Sequence, residues 1–266
     1  MIANFLRRLL GKREPPAIPE ALWLAALARQ PYLARLDAVK LDQLRSLTKE
    51  FLAEKEFTTT GGLKLDNEMC LSIALQACLP ILHLGLTWYR GWVGIVVHPD
   101  EFIVQRNFED EDGVVHEYQE IASGEAWNGG PVLISWKDAQ MTEDSYNVVI
   151  HEFVHKIDML NGEADGIPPL HADMSRETWE TCLLAAYDDF CQRLSISEVQ
   201  GTDTMIDPYA ADHPGEFFAV ISEMFFTAPE AIYSEYPDLF HQLSLFYRTN
   251  PLGNISSRST NAGFNA

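Results

Sequence analysis

The 266-residue sequence contains only four cysteines, Cys70, Cys78, Cys182 and Cys191, and none stand at CxxC spacing. That excludes a thiolate zinc ribbon and a disulfide framework, so the four are read as reduced core thiols. Basic residues are also scarce: 19 Lys and Arg face 39 Asp and Glu, for a formal charge of −20. Nucleic acids and anionic membranes are polyanions that attract Lys and Arg, so neither fits as a partner. Long apolar runs are missing as well. The N-terminus, MIANFLRRLLGKREPP, starts apolar, but Arg7 and Arg8 interrupt it before it reaches the length of a signal core or a membrane span. A cytoplasmic protein is expected. There is no internal repeat.

What is present suits one compact unit, since 47% apolar residues with 11% aromatic can build a sizeable core. Residues 1–18 read as a basic arm carrying Arg7, Arg8, Lys12 and Arg13, residues 19–250 as the folded domain, and residues 251–266, rich in Gly, Asn and Ser, as a mobile tail. Apolar residues recur at helical spacing over 19–36, 42–57 and 66–81. The texture then becomes strand-like at 92–97, 102–104, 114–121 and 132–136, with Asp, Gly and Pro between the runs. FEDEDG at 108–113 lacks the ligand order of an EF-hand and reads as a solvated hairpin tip. Further helices are expected at 141–161, 175–194, 215–226 and 237–247, with loops at 163–173 and 195–214. The class is α+β, mainly helical with a small sheet beside the helix at 141–161.

That helix carries the chemistry. VVIHEFVHKID places His151, Glu152 and His155 in the order H-E-x-x-H. On a helix, positions i and i+4 lie on one face about 6 Å apart along the axis, so both imidazoles can reach one metal ion. Zinc held by two neutral imidazoles and one further ligand keeps a position for water, and the Glu152 carboxylate beside it can take a proton during attack on an amide. The competing reading is a pair of core histidines bonded to carbonyls or carboxylates. The strand ending at Trp136 comes just before this helix, so its edge could lie beside the metal and accept a peptide as an added strand.

The third ligand must come from elsewhere, because position 161 is Asn where a metzincin has its third His. The segment GEFFAVISEMFF offers Glu216 and Glu223. Seven residues apart, they share a helix face but are separated by about 10.5 Å of rise, so one would be ligand and the other support. His171 and His213, both in loops, are rivals, and His213 could instead line the cleft or cap a helix. His83, in a short apolar run, reads as core.

HEFVHKID, DPYAADHPGEFFAV and SEMFF together resemble the Mlc titration factor A family of bacterial zinc metallopeptidases, over most of the chain. The core is also similar to that of anthrax lethal factor, in which a tyrosine precedes the glutamate ligand by seven residues. The resemblance implies a zincin-like (gluzincin) fold, one zinc ion on His151, His155 and Glu216, Glu152 as general base, Tyr209 stabilising the oxyanion, and Asp158 supporting the ligands. It also implies aminopeptidase-like action on small peptides and binding of the glucose repressor Mlc. Two outputs therefore stand, cleavage and repressor sequestration. A closed structural zinc site is disfavoured, since such sites use four Cys or His ligands and leave Glu152 without a role.

Overall fold

The computed structural model describes residues 14–109, 115–141, 146–201 and 204–253. Most of the arm expected at 1–18, residues 110–113 of FEDEDG and the tail beyond residue 253 lie outside that set. Where the arm meets the body, Ile18 is buried and its carbonyl accepts a hydrogen bond from the Arg45 guanidinium at 2.8 Å.

The chain runs α1 (Glu20–Ala28), α2 (Ala38–Glu54), β1 (Glu56–Thr59), α3 (Asn67–Cys78), β2 (Gly94–His98), β3 (Phe102–Glu109), β4 (Val115–Ala122), β5 (Gly124–Ala126), β6 (Val132–Ser135) and a single turn α4 (Trp136–Ala139). Then come α5 (Val148–Asp158), α6 (Arg176–Gln200), α7 (Pro214–Thr227), α8 (Pro229–Glu235) and α9 (Pro237–Phe246). This is an α+β protein with a small mixed sheet. The helix starts follow side-chain chemistry: Asp37, Asp66, Asn147 and Ser175 each accept a backbone N–H of the first turn they precede.

Three sequence expectations shift for physical reasons. The stretch 19–36 is not one helix, because Pro31 forces Gln30 out of the helical region (φ −122°, ψ 78°), and a short 3-10 turn follows. The helix expected to reach residue 57 stops at Glu54. Beyond it the buried Lys55 ammonium donates to the carbonyls of Tyr89 (2.5 Å) and Trp92 (2.9 Å), and Glu56–Thr59 pairs as a strand with Gly94–Val97. The helix expected to end at residue 194 instead runs to Gln200, where Gly201 adopts φ 66° and caps it. The loop expected at 195–214 is correspondingly shorter and contains a 3-10 turn, Pro208–Ala211.

The four-stranded sheet has the order β1-β2-β6-β5, with β1, β2 and β6 parallel and β5 antiparallel at the edge. β3 and β4 form a separate two-stranded hairpin, so the strands expected as one sheet make two. Ile95, Val97, Val132 and Ile134 are fully buried, and α5 packs against β5 and β6. Phe153 of α5 completes the core with the rings of Phe51, Tyr89 and Trp92. Of the cysteines only Cys78 is buried; the other three are partly exposed, and all four are unpaired. Among the described residues no helix is long and apolar enough to cross a membrane.

Candidate metal centre

α5 is held at its start by residues from three other elements. The Asn147 side chain accepts the Ile150 N–H at 2.8 Å and donates to Gln76 of α3 (2.8 Å) and to the Tyr32 hydroxyl (3.1 Å), while its backbone N–H donates to Glu223 at 2.5 Å. Asn147, Gln76 and Glu223 are buried and paired there, which fixes both the position and the rotation of the helix. α7 lies alongside. His213 caps it, accepting the Gly215 N–H at 3.1 Å, and Pro214 occupies its first turn, where a missing N–H costs nothing. Gly215 is needed because a Cβ there would meet the Ala164 carbonyl.

The two helices converge through side chains. Glu216 Oε2 lies 3.0 Å from His151 Nε2 and 3.1 Å from His155 Nε2, and the two Nε2 atoms are 3.0 Å apart. These three residues form the one His, Cys, Asp and Glu group among the described residues with metal-ligand spacing. Seven residues deeper, Glu223 Oε1 lies 2.6 Å from the far nitrogen of His151. If that nitrogen carries the proton, as the network assigns, the Nε2 lone pair points at the other two donors. Three lone-pair donors at one point repel one another unless a proton or a cation sits among them. A nitrogen, nitrogen and oxygen set of this kind fits zinc.

The charges agree. Burial alone would lower the His151 pKa, yet the Glu216 and Glu223 carboxylates outweigh it and raise it well above the ordinary value, so this point draws positive charge. Burial pushes Glu216 up, but the two imidazoles prevail and hold it well below the usual carboxylate range. Glu152 is only 5% exposed, and burial pushes it up to about 7 against the opposing pull of the histidines. Its Oε2 makes no hydrogen bond.

Glu152 faces the edge strand β5. A Cβ built on Gly124 would fall 2.5 Å from Glu152 Cγ and 2.7 Å from Cδ, so only glycine lets the strand lie this close. The sequence placed the β6 edge beside the site. The structure corrects this, because β6 is interior, between β2 and β5. Nothing in the sequence marked Gly124, since a three-residue strand shows no periodicity. Gly124→Ala is expected to displace either the carboxylate or the strand and to slow by roughly 10²-fold any reaction that uses the Glu152 carboxylate as a base, at unchanged metal content. Wild-type turnover in the alanine variant would show that this approach is dispensable.

The remaining candidates also find places. Tyr209 is 40% exposed, its ring 6.1 Å from that of His151, on a turn held by the Asp207 side chain accepting the Tyr209 N–H (2.9 Å) and by Tyr187 donating to the Ala211 carbonyl (2.8 Å). Burial first, then the charge of Glu216, raises its phenol pKa. Asp158 is fully buried, and one of its oxygens accepts the Gly166 N–H at 2.7 Å. Its other oxygen and His155 Nδ1 make no hydrogen bond, so Asp158 is tied to the loop rather than to a ligand imidazole. Burial pushes it up to about 7, against the Gly166 N–H and the charge of His155. Of the rival ligands, His171 bonds the Phe246 carbonyl at 2.8 Å and packs edge-to-face with Trp88 and tilted against Phe246, and His213 is the helix cap. His83 is partly exposed. Tyr209, Glu152 and the three donors open onto one cleft of about 380 Å³.

An H-E-x-x-H helix, met by a glutamate from a second buried helix at the floor of an open cleft, is the arrangement of a metallopeptidase. A family model agrees: residues 4–248 match "Glucose-regulated metallo-peptidase M90", and the chain belongs to that family. Similar relatives are proteins named "Mlc titration factor A" from Cronobacter sakazakii (39% identical over 243 residues, 90% of each chain) and Yersinia pestis (36% over 253 residues, 94% of this chain and 92% of the relative). The Yersinia pseudotuberculosis relative matches to the same extent as the latter.

Proposed function

We propose that the protein is a zinc-dependent peptidase of zincin-like (gluzincin) fold acting on small peptides in an aminopeptidase-like manner, with His151, His155 and Glu216 holding the ion. The observation that carries this reading is the convergence of three donor atoms within 3.1 Å beside a buried carboxylate that has an unpartnered oxygen. Zinc held there would polarise the scissile carbonyl and acidify a water molecule.

The other steps belong to the chain. Glu152 takes the proton of the attacking water and passes it to the departing amine, a role suited to a carboxyl group near neutrality. Its low-dielectric setting, against Gly124, keeps it from being solvated away from the reaction. Tyr209 donates a hydrogen bond to the oxyanion as the carbonyl becomes tetrahedral, from the turn that flanks the cleft. Glu223 fixes the tautomer and ring orientation of His151. The open edge of β5 offers backbone groups to an extended peptide, which would lie antiparallel or parallel beside Glu152.

The test is zinc content together with hydrolysis of short peptides. Purified protein is expected to hold close to one zinc per chain, chelation should abolish hydrolysis, and zinc should restore it. His151→Ala and His155→Ala should lose most of the metal, and unchanged content in both would sink the site. Tyr209→Phe should keep zinc and reduce kcat by roughly 10²-fold, the scale of one oxyanion donor; full activity would remove the tyrosine from the mechanism.

The relatives' printed name supports a second output, docking to the repressor Mlc in the cytoplasm so that its target genes are freed. Binding through surface outside the cleft predicts that Glu152→Gln still captures Mlc in a pull-down. Loss of capture in that variant would mean that Mlc enters as a substrate.

A further inference from the structure

Lys156 follows the second imidazole on α5 and is only 3% exposed, yet the metal chemistry makes no use of it. Burying an ammonium group costs free energy, and an apolar side chain of the same length would fill the space without that cost. Among the described residues Lys156 has no carboxylate partner. Its ammonium instead donates to two carbonyls of one turn, those of Trp127 at 2.6 Å and Gly130 at 3.1 Å, and lies 4.7 Å from the centre of the Trp92 ring. Trp92 packs in turn against Phe153 of α5, so the ammonium is seated on a ring that the same helix helps to fix.

The turn at residues 127–130 joins β5 to β6. It is closed by the Gly130 N–H donating to the Trp127 carbonyl at 3.0 Å and by the Trp127 N–H donating to the Pro131 carbonyl at 3.1 Å. On its outer side the exposed Asn128 donates its side-chain amide to the Gly162 carbonyl at 2.8 Å, just past the end of α5. β5 has three residues and one paired neighbour, so its own ladder holds it weakly. α5 meets this strand at two points. Glu152 rests on Gly124 at one end, and Lys156, one helical turn further along, holds Trp127 at the other. Two contacts four residues apart on a rigid helix fix both the height and the direction of the strand edge, and His151 and His155 stand on that same helix.

We propose that Lys156 is a positioning residue for the peptide: with Asn128 as the outer tie, its ammonium pins the turn at 127–130 and so holds the open edge of β5 in register with the metal donors. The inference rests on the peptidase reading, in which that edge carries the peptide, and names what sets the position of the edge. A strand edge already in place spares an incoming peptide the entropy of ordering it. The effect therefore falls on the binding of peptides long enough to pair with β5.

The experiment uses the zinc-loaded full chain and its Lys156→Met, Lys156→Arg and Asn128→Ala variants. Hydrolysis of di-alanine and of hexa-alanine is followed with fluorescamine, and backbone hydrogen exchange by mass spectrometry. Lys156→Met is expected to raise KM for hexa-alanine by roughly tenfold while kcat, zinc content and the KM for di-alanine stay at parental values. Exchange at 125–130 should quicken by about tenfold, and that of β1 and β2 should not change. Lys156→Arg keeps the charge and the donors and should restore most of the affinity, whereas Asn128→Ala should shift KM and exchange in the same direction by a smaller factor. A lysine that only supports the core would lower zinc content or kcat and quicken exchange in every strand; that pattern overturns the inference, as does a parental KM in Lys156→Met. If Lys156→Met does not fold, Asn128→Ala on the surface decides, and parental KM and exchange there overturn it. Binding of C-terminally fluorophore-labelled hexa-alanine to zinc-loaded Glu152→Gln, with and without Asn128→Ala, separates the two readings. Binding that weakens when the tie is removed, without cleavage by the parent chain, would sink the peptidase reading alone. Cleavage by the parent chain with binding indifferent to the tie would sink this one.

Discussion

Glu152→Gln is expected to yield a folded protein with full zinc content that hydrolyses peptides roughly 10²–10⁴-fold more slowly than the parent chain. Glutamine keeps the volume that β5 leaves around this side chain, where Gly124 lies against Glu152 Cγ and Cδ, so the local packing should hold. What changes is proton chemistry. An amide oxygen cannot accept the proton of an attacking water and return it to the amine. Glu152 is not among the three converging donors, so metal content should not fall with activity. Metal analysis and initial rates on one preparation decide it, and a zinc-loaded glutamine variant with full activity would remove Glu152 as the base.

The second large effect separates the two glutamates of α7. Glu216→Ala takes away one of three donors and is expected to empty the site of most of its metal. Glu223→Gln retains an oxygen for the His151 N–H but loses the charge that strengthens the bond, and should weaken zinc affinity by about 10–100-fold. Glu223→Ala goes further. It leaves the buried Asn147 N–H and the His151 ring nitrogen without their shared acceptor, so stability should drop by on the order of 3 kcal/mol in addition to weaker metal binding. Zinc titration and denaturant unfolding measure the two losses separately. A loaded Glu216→Ala protein beside an empty but stable Glu223→Ala protein would reverse the assignment.

Much of the architecture is written locally. Asp66 and Asn147 cap the helices that follow them, Gly201 closes α6, and the i, i+4 spacing of His151 and His155 puts both rings on one face of any helix that forms there. Other elements escaped because their signals are not local. β1 and β5 are four and three residues long and exist because neighbouring strands pair with them, and α8, with only seven residues, has too few turns for a periodic pattern.

The sequence by itself determined that two imidazoles and a carboxylate share one helix, that two more carboxylates share another, and that the chain is too acidic for a polyanionic partner. Helical spacing and composition are short-range properties and can be read residue by residue. Only the tertiary structure decided that Glu216 meets the two Nε2 atoms while Glu223 meets the far side of His151, and that Gly124 lets a sheet edge rest on Glu152. Those outcomes depend on how α5 and α7 are rotated and offset against each other. That is set by core packing and by the buried Asn147 network, whose partners come from segments more than 70 residues away along the chain.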